Sequence, residues 1–267
     1  MPSGYRHCGL SRGTGLKEHC LWAGTATGVR NGGLGRHTMH VMPRFPWWPS
    51  TPMHRRERRL LQGGGIGTAM LVILFAGWLD RPFACYFEYA EWRRHGPWKA
   101  LTKIGESHWW LVGAFVLAVA CYVARRRSLA MRFLLLFCSV ATSGLFVVIL
   151  KVIFGRARPG LMFSDDPTYG FAFFRTGGEW NAFPSGHSAT VAALCGVACI
   201  LVPRGIILWC LAAGAVASTR VIMGSHFVSD VVAGFYVGIA FAIVSGWCMR
   251  SAWAVPWQVG PEGRASP

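Results

Sequence analysis

From Leu60 onward the chain alternates long apolar runs with short polar breaks. Six runs stand out, at about 60–79, 107–124, 132–153, 188–203, 205–220 and 231–249. Backbone groups in lipid must find partners within their own segment, and these runs exceed strand length, so each predicts a helix. Several are shorter than the ~20 residues that cross a bilayer, a deficit that tilt or local thinning can cover. Val202-Pro203-Arg204-Gly205 is a turn signal between the fourth and fifth runs and predicts a helical hairpin. The expected fold class is all-α: an integral membrane helical bundle with about six transmembrane helices.

The flanks read differently. Residues 1–59 are rich in Gly, Arg, Pro and Thr, lack a sustained apolar period and end in the basic run His54–Arg59. They read as a disordered basic tail. Residues 60–250 form the membrane domain, and 251–267 a short C-terminal tail. Between the runs, 80–106 mixes charge with aromatics. The 160–183 connection offers Phe171, Phe173, Phe174 and Trp180 to the lipid headgroup level.

Composition supports the membrane reading. The chain is 53% hydrophobic and 14% charged, with a mean hydropathy of +0.37. An ordinary soluble domain of 267 residues is less apolar than this. The formal net charge is +16. The basic residues flank apolar spans, where they set topology, so a nucleic-acid partner is not expected. The nine cysteines are scattered. Cys195 and Cys199 share a helical face with no His or carboxylate beside them, which reads as core packing rather than a metal site. No metal and no cofactor is expected.

Three polar stretches interrupt the apolar pattern. Lys151 lies in an apolar helix and is followed by Arg156, Arg158 and Pro159. Arg presents a planar fork that matches phosphate oxygens, and Lys a compact point charge. Of the three cations, Arg156 is the one expected merely to sit at the interface. Pro184-Ser185-Gly186-His187 precedes an apolar helix, whose free N–H groups favour an anion. Gly186 would let a phosphate approach the main chain, Ser185 can donate its hydroxyl, and His187 could protonate a departing alkoxide. Arg220, His226 and Asp230 form the third stretch. A His–Asp spacing of four places both on one face if the segment is helical. A carboxylate on one ring nitrogen would fix the tautomer and free the other to attack phosphorus.

Topology brings the three stretches together. With the basic tail inside, Arg125–Arg127 and Arg132 also fall inside, as the positive-inside tendency prefers. Lys151, Arg158, His187, Arg220 and His226 then meet at the outer face. The five Arg and Lys residues in 80–106 run against this orientation. The shared face survives inversion of the protein.

The pattern K-x6-RP, PSGH and R-x5-H-x3-D resembles the type 2 phosphatidic acid phosphatase superfamily, over roughly 60–249. The resemblance implies a six-helix membrane core and a metal-independent phosphatase. It implies that Lys151, Arg158 and Arg220 bind phosphate, supported by Ser185 and Gly186. His226 would be the nucleophile, Asp230 would orient it, and His187 would serve the leaving group and then water. Thr219 replaces the Ser that the family usually places before the arginine. The implied partner is a membrane lipid phosphate: phosphatidic acid, phosphatidylglycerol phosphate, undecaprenyl diphosphate or a lipid A phosphate. The 23 Arg against 4 Lys suggest a GC-rich bacterial genome and lean toward envelope lipids. The expected place is the bacterial inner (cell) membrane, with the site facing the periplasm or exterior by the topology above. Alternatives are a lipid-to-lipid phosphotransferase using the same site, a vanadate-dependent haloperoxidase, and a non-catalytic lipid-binding relative.

Overall fold

The computed structural model describes residues 52–90 and 96–253. Eight helices follow in order: α1 (Arg55–Trp78), α2 (Asp80–Tyr89), α3 (Gly96–Lys103), α4 (Ser107–Val123), α5 (Arg127–Phe154), α6 (Gly186–Leu201), α7 (Ile206–Ile222) and α8 (Val228–Trp253). Among the described residues there is no strand, only one isolated antiparallel bridge between Arg156 and Phe171. Most of the 1–59 tail and of the 251–267 tail lies outside the described residues. Residues 55–59, assigned above to the amino-terminal tail, already belong to α1, and α8 runs three residues past 250.

Among the described residues, five segments are long and apolar enough to cross a membrane: Arg55–Trp78, Gly96–Val123, Arg127–Phe154, Pro203–Ile222 and Val228–Arg250. The sixth, α6, has 16 residues, or about 24 Å of rise. It can be short because it is central. It packs on α5, α7 and α8, and nine of its residues are buried. Large apolar side chains such as Ile73, Leu145 and Ile207 point outward. In water such faces would aggregate; on a membrane protein they meet lipid. The chain is an integral membrane protein of the expected all-helical class.

The α6–α8 crossing is built on small residues. A Cβ at Gly234 would strike the Ser185 carbonyl, and one at Gly238 the Ala189 carbonyl. Gly196 lies against Ala242. Close approach of this kind holds helices together where no water drives them. It also fixes the PSGH turn directly against the first turns of α8. At the end of α5, Gly155 adopts φ +51° and its N–H bonds to the Lys151 carbonyl. A side chain there would be strained and would collide with the Ala172 carbonyl. This cap turns the chain sharply after Lys151 and sends Arg156 inward.

Candidate active site

The ends of α5 and α7 and the beginnings of α6 and α8 share one end of the bundle, and the three polar stretches meet there. Ser185 N–H donates to the Asp230 carbonyl at 3.0 Å, and Ala182 N–H to the Arg156 carbonyl at 3.1 Å. His226 Nδ1 lies 2.7 Å from the Ala182 carbonyl. These bonds tie all three stretches into one unit.

His226 is buried, and the contact with Ala182 defines its chemistry. A carbonyl oxygen only accepts, so Nδ1 carries the hydrogen and the neutral ring holds its lone pair on Nε2. Burial pushes the His226 pKa below the ordinary histidine value. Asp230 opposes this shift, and Arg220 and Lys151 reinforce it. The ring therefore stays neutral to lower pH than a solvated histidine. Two expectations are corrected here. Asp230 Oδ2 is 3.7 Å from Nδ1, too long for the direct bond expected; the backbone sets the tautomer instead. Nor do His226 and Asp230 share a helix face. His226 precedes α8, and Asp230 sits in its first turn, accepting from Phe227 N–H at 2.8 Å.

Arg156 is the other correction. It is not interfacial but 1% exposed. It donates to Asp230 Oδ1 at 2.5 Å, Asp80 Oδ2 at 2.7 Å and Ser229 Oγ at 2.6 Å. The rings of Phe171 and Phe227 lie 4.8 Å and 4.7 Å from its guanidinium carbon. Burial alone would lower its pKa, but Asp230 and Asp80 outweigh burial and raise it. Its interfacial reading failed because Asp80, its second carboxylate partner, lies 76 residues away in sequence.

Lys151, Arg158, Arg220 and His187 form a second group. Lys151 and Arg220 are each close enough to Arg158 to repel it. Among the described residues, Nε of Arg158 and Nε of Arg220 are buried donors without a hydrogen-bond partner, as is Nε of Arg156, but only Arg156 has carboxylates at its other nitrogens. Buried unpaired donors are costly, so crowded cations with orphaned N–H groups suit an anion. His187 faces the same charges and His226. Ser185 is fully buried and caps α6: its oxygen accepts from the Ser188 N–H at 3.4 Å and from Ser188 Oγ at 2.9 Å, leaving its own proton to donate. A Cβ at Gly186 would meet only Val147, at an ordinary 3.9 Å, so packing does not demand glycine there.

Two contributors came from outside the motifs. Thr102 Oγ accepts from Arg220 NH1 at 2.9 Å, and a Cβ at Gly105 would press on the His187 ring at 2.9 Å. The α3–α4 turn thus lies against the site. Asp80 is the other. A single acid just past the first apolar run was its signal in the sequence.

Elsewhere, the Sγ atoms of Cys195, Cys199 and Cys210 lie within 4.8 Å of one another. They sit among Val191, Ala213 and Trp209, and Cys195 is about 12 Å of helix below His187. Cys195 and Cys199 pack there one turn apart on α6, and the α6–α7 hairpin adds Cys210.

Residues 132–254 match the sequence model of the PAP2 superfamily. Over this segment the chain is similar to that superfamily. Two curated relatives carry the name lipid A 1-phosphatase. One, from Rhizobium johnstonii, is 39% identical over 110 residues, which is 41% of this chain and 45% of the relative. The other, from Rhizobium etli, is 34% identical over 128 residues, which is 48% and 54%. The chain spans about half the length of the curated relatives it matches. In fold it is similar to a transmembrane PAP2-type phosphatidylglycerolphosphate phosphatase from Bacillus subtilis, with a TM-score of 0.53 and 20% identity. That match covers 70% of this chain and 94% of the other. The PAP2 match begins at Arg132, so Asp80, Thr102 and Gly105 all lie before it.

Proposed function

We propose that this chain is a metal-independent lipid phosphate phosphatase of the bacterial inner membrane, working through a phosphohistidine at His226. The observation that carries the proposal is the convergence of Lys151, Arg158 and Arg220, which have no carboxylate bonded to them among the described residues, on the buried His226. The activity is assigned to the 60–250 domain, with the site on the periplasmic side. Positive charge at His54–Arg59 and Arg125–Arg127 lies at the opposite ends of the helices, as a cytoplasmic face prefers.

Lys151, Arg158 and Arg220 offset the charge of the phosphate and of the five-coordinate transition state. Ser185 and the N–H groups at the start of α6 support it, with Gly186 giving access. His226 Nε2 attacks phosphorus as the P–O bond to the lipid breaks, and His187 protonates the departing oxygen. His187 then takes a proton from water, the water oxygen attacks phosphorus, the P–N bond breaks, and inorganic phosphate leaves. Asp230 orients His226 through the first turn of α8. Among lipid phosphates, the names of the two relatives favour a lipid A phosphate over phosphatidic acid, phosphatidylglycerol phosphate and undecaprenyl diphosphate.

The test is phosphate release from that panel of lipids by detergent-purified protein in EDTA, beside His226→Ala. Release that persists in EDTA, is fastest on lipid A and disappears in the variant supports the whole reading. Release that EDTA abolishes overturns metal independence. Loss of lipid phosphate without free phosphate, only when an acceptor lipid is added, favours a phosphotransferase.

A further inference from the structure

We infer that Asp80, from the corner between α1 and α2, is a positioning residue that caps α8 in trans and thereby aims His226. The inference rests on the phosphohistidine reading above.

A helix start leaves N–H groups without partners, and a local Ser, Thr, Asp or Asn usually takes one. Phe227, at the residue before α8, has no side-chain acceptor to offer. Two carboxylates supply what it lacks. Asp230 reaches back to the Phe227 N–H, and Asp80 Oδ1 accepts from the Ser229 N–H at 3.0 Å. Asp80 Oδ2 also takes the Ser229 hydroxyl at 2.5 Å and Arg156 at 2.7 Å. Arg156 then bonds Asp230, which closes a ring of contacts around the α8 start. Asp80, Arg156, Ser229 and Asp230 are all at most 1% exposed. Two carboxylates also suit the positive end of the α8 dipole.

His226 is bonded to Phe227, so the ring holds the turn that carries the nucleophile. Asp80→Asn leaves a single acceptor oxygen for the Ser229 N–H, the Ser229 hydroxyl and Arg156, and Arg156 keeps only one counter-charge. The first turn of α8 can then shift. The phosphate cations are held by other elements: Lys151 in α5, Arg220 in α7, and Arg158 through its N–H to the Glu179 carbonyl at 2.8 Å. Anion binding should therefore survive a change that disturbs attack.

The experiment compares wild type, Asp80→Asn and Ser229→Ala as full-length protein in detergent. It measures orthovanadate binding, melting temperature, and kcat and KM on the panel lipid that wild type hydrolyses fastest. A misplacement of about 1 Å can cost a reaction about a hundredfold. The expected result for Asp80→Asn is a kcat about 10–100-fold lower, with KM and vanadate affinity within about threefold. A folded Asp80→Asn protein with kcat within twofold of wild type overturns the inference. Parallel loss of kcat, vanadate affinity and melting temperature also overturns it, since that marks a purely structural role. If Asp80→Asn does not fold, Ser229→Ala decides: it keeps the Arg156–Asp80 pair, and it should lower kcat by roughly threefold or more with vanadate affinity retained. Unchanged kcat in that variant contradicts the inference. A wild type that releases no phosphate from any lipid instead overturns the parent reading.

Discussion

Arg156 and Arg158 are two residues apart, yet they stand in opposite electrostatic situations. Arg156 is enclosed by Asp80, Asp230 and Ser229. Arg158 faces the like charges of Lys151 and Arg220. One region is a closed set in charge, in which cation and carboxylates pair, although Nε of Arg156 also has no hydrogen-bond partner among the described residues. The other is an open set of like charges. A protein holds like charges together in a poorly solvated place only at a cost in stability. A closed network serves the fold and aims its neighbours; an open one is arranged for something that arrives. Residue type does not distinguish the two regions, because both use arginine.

The predictions sharpen that contrast. The largest effect belongs to the residue between the two regions. His226→Ala should lower kcat by at least a thousandfold while vanadate still binds, as removing a nucleophile typically does. A turnover assay with vanadate titration checks both halves. Next, Arg158→Ala and Arg156→Met should fail differently. Arg158→Ala should lower kcat/KM by about a hundredfold and abolish the thermal protection given by vanadate, with the unliganded melting temperature unchanged or raised. Arg156→Met strands two buried carboxylates, a loss of about 3–5 kcal/mol, so its unliganded protein should melt well below wild type. Thermal melts with and without vanadate separate the two. If both variants behave alike, the division into closed and open sets is wrong.

A smaller effect concerns pH. The proposed attack needs neutral His226, and burial holds the His226 pKa below its usual value of about 6.5. Protonation removes the nucleophile as pH falls through the shifted pKa. The acid limb of kcat/KM should therefore lie below pH 6.5, and a limb above that value would contradict the buried neutral ring. The smallest effect is expected at Cys210→Ser. It lies far from both charge sets, and kcat should stay within twofold by the same turnover assay.

Much of this was legible in the sequence, for reasons specific to certain residues. Helices follow from run length, and their placement follows from alternation across a membrane. The motif residues could be picked out because charge in an apolar run is rare. What could not be read was pairing. Nothing near Arg156 in sequence announces Asp80. A spacing of four between His226 and Asp230 resembled a helical face, because the helix start at Val228 is set by capping rather than by local periodicity. The backbone acceptor for His226, Ala182, carries no sequence signal at all. Thr102 and Gly105 belong to a segment that reads as interfacial, and only the fold lays it against Arg220 and His187.

The central claim is that phosphate passes through His226. The most direct measurement is to quench the wild-type protein during turnover of a radiolabelled lipid phosphate, under alkaline conditions that preserve phosphohistidine, and to map the label by mass spectrometry. The account predicts phosphate on His226, absent from His226→Ala and undiminished by EDTA. Label on another residue, or full turnover with no label on His226 even under rapid quench, would contradict it.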